Sequence, residues 1–401
     1  MTGTAGNRGD SVRSDCFVSI ELTKEPGIQF RLQSKVATLY GNAIRKLCID
    51  MLDFFNIQHA KVHIEDEGAL DFVLAARIET AIKKVHSSDK EYLLPVNPKC
   101  LYSTEKEGAR RSRLYLPGNS PKLMINAGLH GADGIILDLE DSVAPDKKYE
   151  ARYLIRNALR FVHFLGAEKM VRINQLPDGL EDLQYVIPHH VNLILIPKCE
   201  SQDDIKKVND AIDNIKKEKS YPIYLMPIIE SSLGVINAYT IATAAENVVA
   251  LAIGLEDYTA DLGVRRTADG KESIYARSVI VNAAAAAGIQ AIDSVYSDVS
   301  DMEGLKLNII NSKALGFVGM GCIHPRQVKI INEGFNPGIE EIDKAKEIVL
   351  AYENAKLKGK GVIAIGSKMI DLPVVKRAEQ TINTALQSGL LTKNWRKKEN
   401  G

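Results

Sequence analysis

The sequence lacks the features that mark a membrane, secreted or nucleic-acid-binding protein. No apolar run approaches the roughly 20 residues needed to span a bilayer, and the polar stretch before Asp10 lacks the apolar segment of a signal peptide. Basic and acidic residues both number 51, so the formal net charge is +0. This balance does not favour nucleic acid or a membrane surface as a partner. These absences predict a cytoplasmic protein.

Two common cofactor and cross-link signatures are also missing. The five cysteines are odd in number and none stands in CxxC spacing, which argues against a disulfide framework or a zinc site and fits a reducing compartment. No GxGxxG turn is present to bind a dinucleotide. The chain has 401 residues, 45% hydrophobic and 25% charged, which is typical of a globular protein with two or more folding units.

The first part of the chain has the pattern of a small α+β domain. Residues 1–12 are polar and are expected to be a disordered N-terminus. Residues 13–85 alternate between the periodicities of strands and helices, which predicts a sheet covered by helices. The predicted elements are strands over 16–22 and 28–32 joined as a hairpin by Pro26-Gly27, a helix over 36–55, short strands over 61–64 and 71–74, and a helix over 75–85.

The rest of the chain has the rhythm of a (β/α)8 barrel. Residues 86–109 are polar and broken by prolines, so they are predicted to be a linker. Over 110–335, eight strand-like runs alternate with helical segments, which favours a closed α/β barrel of the TIM type over a doubly wound open sheet. Residues 336–401 are predicted to be a C-terminal helical extension. The expected barrel strands lie at 114–116, 134–139, 170–173, 193–197, 223–229, 248–253, 290–292 and 317–323.

Charged and polar residues follow most of these strands. In a barrel the carboxyl ends of the strands share one rim, and that rim carries the active site. Polar loops alone could account for some members, such as Glu200, Asp293 and His324. The full set is Asn119, Asp138, Glu140, Asp141, Arg172, Asn174, Lys198, Glu200, Glu230, Glu256, Asp257, Asp261, Asp293 and His324.

The densest of these groups comprises Asp138, Glu140 and Asp141, directly after an apolar run. Unpaired carboxylates are unfavourable in a core, so the three acids are expected to face a cation or a basic partner. An acidic loop after an ordinary strand is the alternative. Arg172 ends another strand, where its planar fork suits a carboxylate. A salt bridge from Arg172 to Asp138 or Glu140 is the other interpretation, and both can hold together.

Glu230 and Asp257 form the best candidate metal pair. Each follows an apolar strand, and the two strands are expected to be neighbours. Two carboxylates that leave room for water and substrate oxygens are typical of a Mg²⁺ site, and zinc is disfavoured because no histidine or cysteine stands beside them. The alternative for Glu230 is a capping role at the helix that begins near Ser231.

Several motifs in order resemble the citrate lyase β-subunit family, which includes malyl-CoA and citramalyl-CoA lyases. They cover about residues 110–385, and they are RSRLYLPGN at 111–119, LDLEDSV at 137–143, VRIN at 171–174, Glu230 and GLED at 254–257. The resemblance implies a Mg²⁺-dependent lyase acting on a bond between an acyl thioester and a 2-oxo acid. It assigns Glu230 and Asp257 to the metal and Arg172 to a substrate carboxylate.

Asp371, in KMIDLPVV at 368–375, matches an aspartate that in thioester lyases of this family acts as acid–base in a neighbouring subunit's site. The resemblance therefore implies a homo-oligomer, a trimer or a larger assembly. From the residues alone, Asp371 is predicted only to be a helix N-cap. Glu140 is expected to orient Arg172 or a metal-bound water.

The N-terminal part resembles the γ-subunit of citrate lyase, an acyl carrier protein. The resemblance rests on Ser14-Asp15, EDEGALD at 65–71 and ARIETA at 76–81. It implies a phosphoribosyl dephospho-CoA group attached covalently to Ser14, with Ser11 as a nearby competitor. In that family the carrier and the lyase are normally separate chains, whereas here they are joined. A flexible linker of this length would let the carrier swing to the barrel.

The resemblance implies cleavage of a citryl thioester to an acetyl thioester and oxaloacetate. It also implies a separate α-subunit as acyl transferase, because the chain contains no such segment. Three alternatives stay open: a lyase for free citramalyl-CoA or malyl-CoA, a non-catalytic carrier or assembly subunit, and a barrel aldolase acting on free 2-oxo acids.

Overall fold

A computed structural model of the chain describes residues 2–216, 221–267, 269–357, 363–365 and 368–396. These residues form a closed parallel barrel, a small α+β unit packed on its side, and a C-terminal extension. The predicted fold class, an α/β barrel with a small N-terminal domain, is confirmed. No helix among the described residues has both the length and the apolar surface required to cross a membrane.

The N-terminal unit consists of β1 (Thr2–Gly6), β2 (Cys16–Leu22), β3 (Ile28–Ser34), α1 (Ala37–Phe54), β4 (Ala60–Asp66) and α2 (Asp71–Lys83). Its sheet has the order β1-β2-β4-β3. Strand β4 is central, pairing antiparallel with β2 and parallel with β3. Helix α2 is buried along its whole length from Phe72 to Ile82, because the sheet covers one side of it and the barrel covers the other.

Three predictions for this unit are wrong. Residues 2–6 are not disordered: β1 pairs along β2, from Thr2 opposite Glu21 to Gly6 opposite Phe17. Strands β2 and β3 exist but do not form a hairpin, because β4 lies between them. The expected strand at 71–74 is the first turn of α2, where the Asp71 carboxylate suits the positive end of the helix dipole.

The barrel strands are β5 (Ser112–Pro117), β6 (Gly134–Asp138), β7 (Glu168–Arg172), β8 (Leu193–Ile196), β9 (Tyr224–Ile229), β10 (Ala250–Ile253), β11 (Gln290–Asp293) and β12 (Gly319–Cys322). They pair in parallel in chain order, and β12 closes the barrel against β5. All eight predicted strands are confirmed, with ends that differ by a few residues.

Two layers of apolar side chains explain why the barrel strands contain apolar runs. Ile136, Met170 and Met226 fill the interior of the barrel. Ile135 and Leu137 belong to the core between the strands and the outer helices. Both faces of each strand are therefore buried, as is typical of parallel sheets, and polar residues concentrate at the strand ends.

The surrounding helices complete the barrel and leave the carboxyl ends of its strands on one rim. They are α3 (Pro121–Met124), α4 (Lys148–Phe161), α5 (Gly179–Val186), α6 (Gln202–Ile215), α7 (Ser232–Ile236), α8 (Ala238–Ala242), α9 (Leu255–Asp261), α10 (Ile274–Ala287), α11 (Met302–Leu315) and α12 (Pro325–Phe335).

The N-terminal unit docks on the barrel through a buried ion-pair cluster. The Arg77 guanidinium donates to both Asp15 carboxylate oxygens at 3.0 Å and lies 3.3 Å from Glu150 of α4. It also donates to the carbonyl oxygen of Asn119, 3.1 Å away, in the loop after β5. All three charged side chains are almost completely buried. This cluster fixes the N-terminal unit beside the rim at the carboxyl end of β5.

A second buried contact and an aromatic pair extend this interface. Arg156 of α4 donates two hydrogen bonds to Glu79 of α2, at 3.2 and 2.5 Å. The rings of Phe72 and Phe161 stack with centroids 5.2 Å apart. Helices α2 and α4 therefore join through both charged and apolar contacts.

Residues 86–109 contain no strand or α-helix, only a 3-10 turn at Pro98–Cys100. They are nevertheless attached to the barrel. Lys169 donates to the Cys100 carbonyl at 2.6 Å, Asn192 donates to the Tyr102 carbonyl at 2.9 Å, and Tyr102 donates to the Ala167 carbonyl at 2.6 Å. The swinging linker expected from composition is thus a packed strap in this structure.

The C-terminal extension consists of α13 (Ile339–Leu357), β13 (Ile363–Ile365), β14 (Lys368–Ile370) and α14 (Leu372–Gln387). Strands β13 and β14 pair antiparallel. The two helices pack through Ile348 and Ile382, among other apolar residues. Residues 358–362, 366–367 and 397–401 of the predicted extension lie outside the described part of the chain.

Candidate active site

A cavity of about 370 Å³ opens at the carboxyl ends of the barrel strands. Its walls combine charged groups from several βα loops with residues from inside the barrel. The charged lining residues are Arg113, Asp138, Asp141, Arg172, Glu230, Glu256, Asp257 and Asp293. The rim predicted from the sequence therefore surrounds one cavity, and Arg172, Glu230 and Asp257 share it.

Arg172 lies at the centre of an acidic cluster. Its Nε and Nη2 donate to the two Asp138 oxygens at 2.6 and 2.7 Å, and its Nη1 lies 2.8 Å from Glu140. Burial raises the pKa of Asp138, but the hydrogen bonds from Arg172 outweigh burial and hold this pKa below its ordinary value. The expected salt bridge from Arg172 is therefore present to both acids.

Glu140 is positioned by its neighbours. Gln175 donates to its Oε1 at 3.1 Å, and the Asp141 backbone N–H donates to its Oε2 at 3.1 Å. Burial raises the pKa of Glu140 even though the Arg172 charge opposes that change. Glu140 thus holds Arg172 from the side opposite Asp138, which is the geometry required to orient the guanidinium.

Glu230 and Asp257 are linked through Lys198. The Lys198 backbone N–H donates to Glu230 Oε2 at 2.9 Å, and its Nζ lies 3.3 Å from Asp257 Oδ1. The backbone of Lys198 is left-handed, with φ of 47°. Gly254 allows Glu230 to lie across the end of β10, because a Cβ there would come within 2.4 Å of Glu230 Oε1. Ser231, not Glu230, caps helix α7.

These groups fit a divalent cation with oxygen ligands. Glu230 is only 7% exposed, and burial, with a smaller contribution from Asp257, raises its pKa to about 7. Within the described ranges no side-chain cation pairs with Glu230, and no cluster of three or more acidic, histidine or cysteine residues suits a metal. A pair of carboxylates that leaves most positions to water and substrate is how proteins usually hold Mg²⁺.

Asp371 and Ser14 lie away from this cavity wall. Asp371 accepts a hydrogen bond from the Val374 backbone N–H at 3.2 Å and caps α14, as the residues alone predict. Ser14 precedes β2, is half-buried and has a left-handed backbone with φ of 56°. In the part of the chain that the structure describes, its hydroxyl makes no hydrogen bond. Ser11 is exposed.

Two cavity residues escape the sequence analysis, Arg113 and Tyr115. Both belong to β5, and alternation along a strand places them on the same face. They line the cavity together with Gly321 of β12. The predicted strand at 114–116 begins one residue after Arg113, so the sequence places Arg113 outside the strand, whereas β5 begins at Ser112.

A family model described as HpcH/HpaI aldolase/citrate lyase matches residues 111–325, and the chain belongs to this family. A second model, described as malonate decarboxylase delta subunit, an acyl carrier type, matches residues 5–85. The predicted combination of a citrate-lyase-like barrel and a carrier-like unit is confirmed.

Curated relatives match the barrel part. Citrate lyase subunit beta of Leuconostoc mesenteroides subsp. cremoris is 39% identical over 284 residues, which cover 70% of this chain and 94% of the relative. The mitochondrial citramalyl-CoA lyase of Homo sapiens is 34% identical, covering 69% of this chain and 85% of the relative. These relatives are lyases, and the chain is a lyase of this family.

Solved structures give the same assignment. CitE from Mycobacterium tuberculosis in complex with magnesium, acetoacetate and coenzyme A superposes with a TM-score of 0.58 at 29% identity, covering 70% of this chain and 99% of that one. The same protein with magnesium and pyruvate gives a TM-score of 0.52 at 27% identity, covering 70% and 100%.

Proposed function

We propose that the chain cleaves a citryl thioester, carried on its own N-terminal unit, into an acetyl thioester and oxaloacetate. The observation that carries this proposal is the pair Glu230 and Asp257 in a cavity whose rim is also the docking site of the carrier-like unit. A lyase site and a carrier-like unit would thereby act within one chain.

Glu230 and Asp257 would hold Mg²⁺. Its binding in the CitE complexes supports this assignment, as does the buried Glu230 carboxylate that lacks a side-chain cation within the described residues. When bound, the ion supplies Lewis acidity to the oxygens of the substrate and fixes their orientation. Lys198 balances Asp257 and holds Glu230 through its backbone N–H.

Arg172 would bind a substrate carboxylate with the N–H groups that its acidic neighbours leave free. Asp138 fixes the plane of the guanidinium from one side, and Glu140 fixes it from another. This arrangement orients Arg172 before the substrate arrives, so less conformational entropy is lost on binding.

Asp371 from a neighbouring subunit would act as the acid–base, as the resemblance implies. Its carboxylate takes the proton of the substrate's tertiary hydroxyl. The electrons of that O–H bond form the carbonyl of oxaloacetate, and those of the broken C–C bond form the enolate of the acetyl thioester. The enolate then takes a proton, and no oxidant or further reactant is required. This role requires a homo-oligomer.

Ser14 would carry the phosphoribosyl dephospho-CoA group. Bound there, the group supplies the terminal thiol on which the acyl thioester is presented. The next residue, Asp15, is held by Arg77, which also contacts the rim loop at Asn119. Ser14 is therefore adjacent to residues that reach the mouth of the barrel. Exchange of acetyl for citryl would fall to a separate α-subunit.

A lyase acting on free citramalyl-CoA or malyl-CoA is the second candidate. It is favoured by the likeness to human citramalyl-CoA lyase and to the CitE complex that contains coenzyme A. In that case the carrier-like unit would have no acyl group to present. A non-catalytic carrier subunit is disfavoured, since the charged groups of the cavity are all in place.

Two measurements separate these candidates. Mass spectrometry of the native chain is expected to find the prosthetic group on Ser14 and not on Ser11, and the Ser14→Ala variant should remain unmodified. With Mg²⁺, the modified chain loaded with citryl should release oxaloacetate. An unmodified Ser14 together with rapid cleavage of free citramalyl-CoA would instead establish the second candidate.

A further inference from the structure

Arg113 is a buried cation without an acidic partner. Its side chain is 1% exposed, yet among the described residues no carboxylate lies within salt-bridge distance of it. Its Nη1 contacts only the Met226 sulfur, at 2.9 Å, and its Nε makes no hydrogen bond. A buried guanidinium is unfavourable unless an anion and hydrogen bonds compensate for the lost water. Among the described residues the protein supplies no anion within salt-bridge distance and only one weak side-chain acceptor, the Met226 sulfur.

The neighbouring Arg110 and Arg111 differ from Arg113 because each of them has a carboxylate partner. Arg110 donates to both oxygens of Glu168 at 2.7 and 2.8 Å, and Arg111 donates to both oxygens of Asp133 at 2.8 and 2.7 Å. Burial lowers the pKa of Arg113 to about 10, and the more distant Glu168 charge offsets only a small part of this change. Of Arg110, Arg111 and Arg113, only Arg113 lines the cavity.

Space is left open around the Arg113 head group. Gly321 lies on the neighbouring strand β12, and a Cβ at Gly321 would be 3.8 Å from Arg113 Nη2. That Cβ would collide with Val295 Cγ1, 2.7 Å away, and would press against Tyr115 Cε2, 3.2 Å away. Gly321 therefore keeps the region between the guanidinium and the Tyr115 ring free for a ligand.

Tyr115 adds a second donor beside Arg113. It lines the cavity two residues further along β5, and the Arg172 guanidinium lies 5.3 Å from its ring centroid. Burial raises the pKa of the Tyr115 hydroxyl, so this group stays protonated and able to donate. Tyr115 thus stands between the Arg172 cluster at the rim and Arg113 deeper in the barrel.

We propose that Arg113, with the Tyr115 hydroxyl, forms a second carboxylate-binding subsite at the floor of the cavity. This inference rests on the proposed function and extends it to the choice of substrate. Arg172 and the metal pair would take the carboxylate beside the reacting carbon, while Arg113 takes the distal one. A buried arginine and a phenol suit a carboxylate through charge-assisted hydrogen bonds.

The subsite would decide which 2-oxo acid unit the lyase accepts. Oxaloacetate has a carboxylate at each end, whereas pyruvate has a methyl group and glyoxylate a hydrogen in place of its carboxymethyl group, so both lack the distal carboxylate. A methyl group would leave the buried guanidinium uncompensated, and a site built around a polar partner rejects analogues that lack it. Arg113 thus selects a citryl unit over citramalyl and malyl units.

The test compares two ligands that differ only at the distal group. Oxaloacetate and pyruvate are titrated by calorimetry into the full chain with saturating Mg²⁺, using wild type, Arg113→Met, Arg113→Lys and Tyr115→Phe. The wild type is expected to bind oxaloacetate more tightly than pyruvate. Arg113→Met should weaken oxaloacetate binding by about 30-fold and change pyruvate binding by less than about twofold. Arg113→Lys should restore part of the loss.

Arg111→Met is the matched control, since it removes a guanidinium that is paired outside the cavity. In this variant the ratio of the oxaloacetate affinity to the pyruvate affinity should equal that of wild type. Equal affinities in the wild type, or equal losses of both ligands in folded Arg113→Met, would overturn the inference and leave the proposed lyase standing. A wild type that binds neither ligand would overturn both. If Arg113→Met does not fold, the inference is tested by the ratio of oxaloacetate to pyruvate affinity in the wild type and in Arg113→Lys.

Discussion

At the scale of single residues, Glu230 is a buried carboxylate of the cavity whose pKa is raised by its surroundings. Burial lifts its pKa to about 7, so near neutral pH part of the metal-free protein carries a proton there. Mg²⁺ requires the ionised form, and binding must release this proton. The raised pKa therefore couples metal affinity to pH in the physiological range.

Magnesium binding should weaken as the pH falls through 7. The sign follows because the protonated Glu230 dominates below its pKa and competes with the ion. Calorimetric titration is expected to give an affinity about tenfold lower at about pH 6 than at about pH 8. Glu230→Gln should abolish both the binding and its pH dependence while the fold is retained by circular dichroism. Equal wild-type affinities at the two pH values would contradict this.

Gly254→Ala tests whether Glu230 needs the bare backbone beside it. The new Cβ would lie 2.4 Å from Glu230 Oε1, so the carboxylate must move away from its position near Asp257. Mg²⁺ affinity is expected to fall by about tenfold or more. Gly41→Ala in α1 is the control, because its Cβ would meet nothing closer than 3.6 Å. Unchanged metal binding in Gly254→Ala would show that Glu230 is not held in this way.

The sequence indicated most of the residues in this cavity, but not how they interact. Arg172, Glu230 and Asp257 could be predicted because charged residues at the ends of apolar strands converge in any barrel. The simultaneous ion pairs of Arg172 with Asp138 and Glu140 depend on side-chain rotamers. The position of Lys198 between Glu230 and Asp257 depends on its left-handed backbone. Neither leaves a periodic signal in the chain.

At the scale of elements, the strands were predictable and their partners were not. The eight barrel strands contain apolar runs and are separated by helices, so composition and spacing suffice. Alternation in β2 and β3 identifies strands but says nothing about β4 lying between them. Strand β1 was missed because its buried positions are glycine and alanine, which carry little hydrophobic signal.

The contact between α2 and α4 is a second feature that the composition of the sequence does not predict. Helix α2 is buried on all sides. Its first turn therefore has no amphipathic pattern, and the sequence predicts a strand there. Arg77 and Glu150 are buried charges from the two sides of one interface. Each charged group had a partner more than 60 residues away in the sequence.

Arg77→Met should destabilise the protein strongly. It leaves Asp15 and Glu150 buried without their cation, and breaking such a cluster costs about 3–5 kcal/mol. Urea unfolding followed by circular dichroism measures the change. Lys46→Met, which breaks the exposed pair with Asp50 on α1, is the control and should leave the free energy of unfolding near wild type. Similar effects for the two variants would mean that the buried cluster is not stabilising.

At the scale of the whole molecule, carrier and barrel are one packed body and not two domains on a flexible tether. The strap over residues 86–109 is fixed by Lys169 and Asn192 at the floor of the barrel. The docking cluster holds the unit beside the rim. If Ser14 carries the proposed prosthetic group, that arm, and not the fold of the N-terminal unit, is expected to move during turnover.

Calorimetry should accordingly show a single unfolding transition for the full chain. The N-terminal unit shares its core with the barrel through Phe72, Val73 and Ala76, so its unfolding exposes barrel surface and the two parts melt together. In Arg77→Met the two parts are expected to separate into distinct transitions. Two resolved transitions in the wild type would show that the carrier is an independent domain.

The most direct test of the account is the metal dependence of carbon–carbon cleavage. Oxaloacetate release from the citryl-loaded chain is followed with and without chelator, in wild type, Glu230→Gln and Asp257→Asn. The account predicts that chelator abolishes release, that Mg²⁺ restores it, and that both variants lose about a thousandfold in rate with the fold intact. Undiminished release in chelator, or near-wild-type rates in either variant, would contradict it.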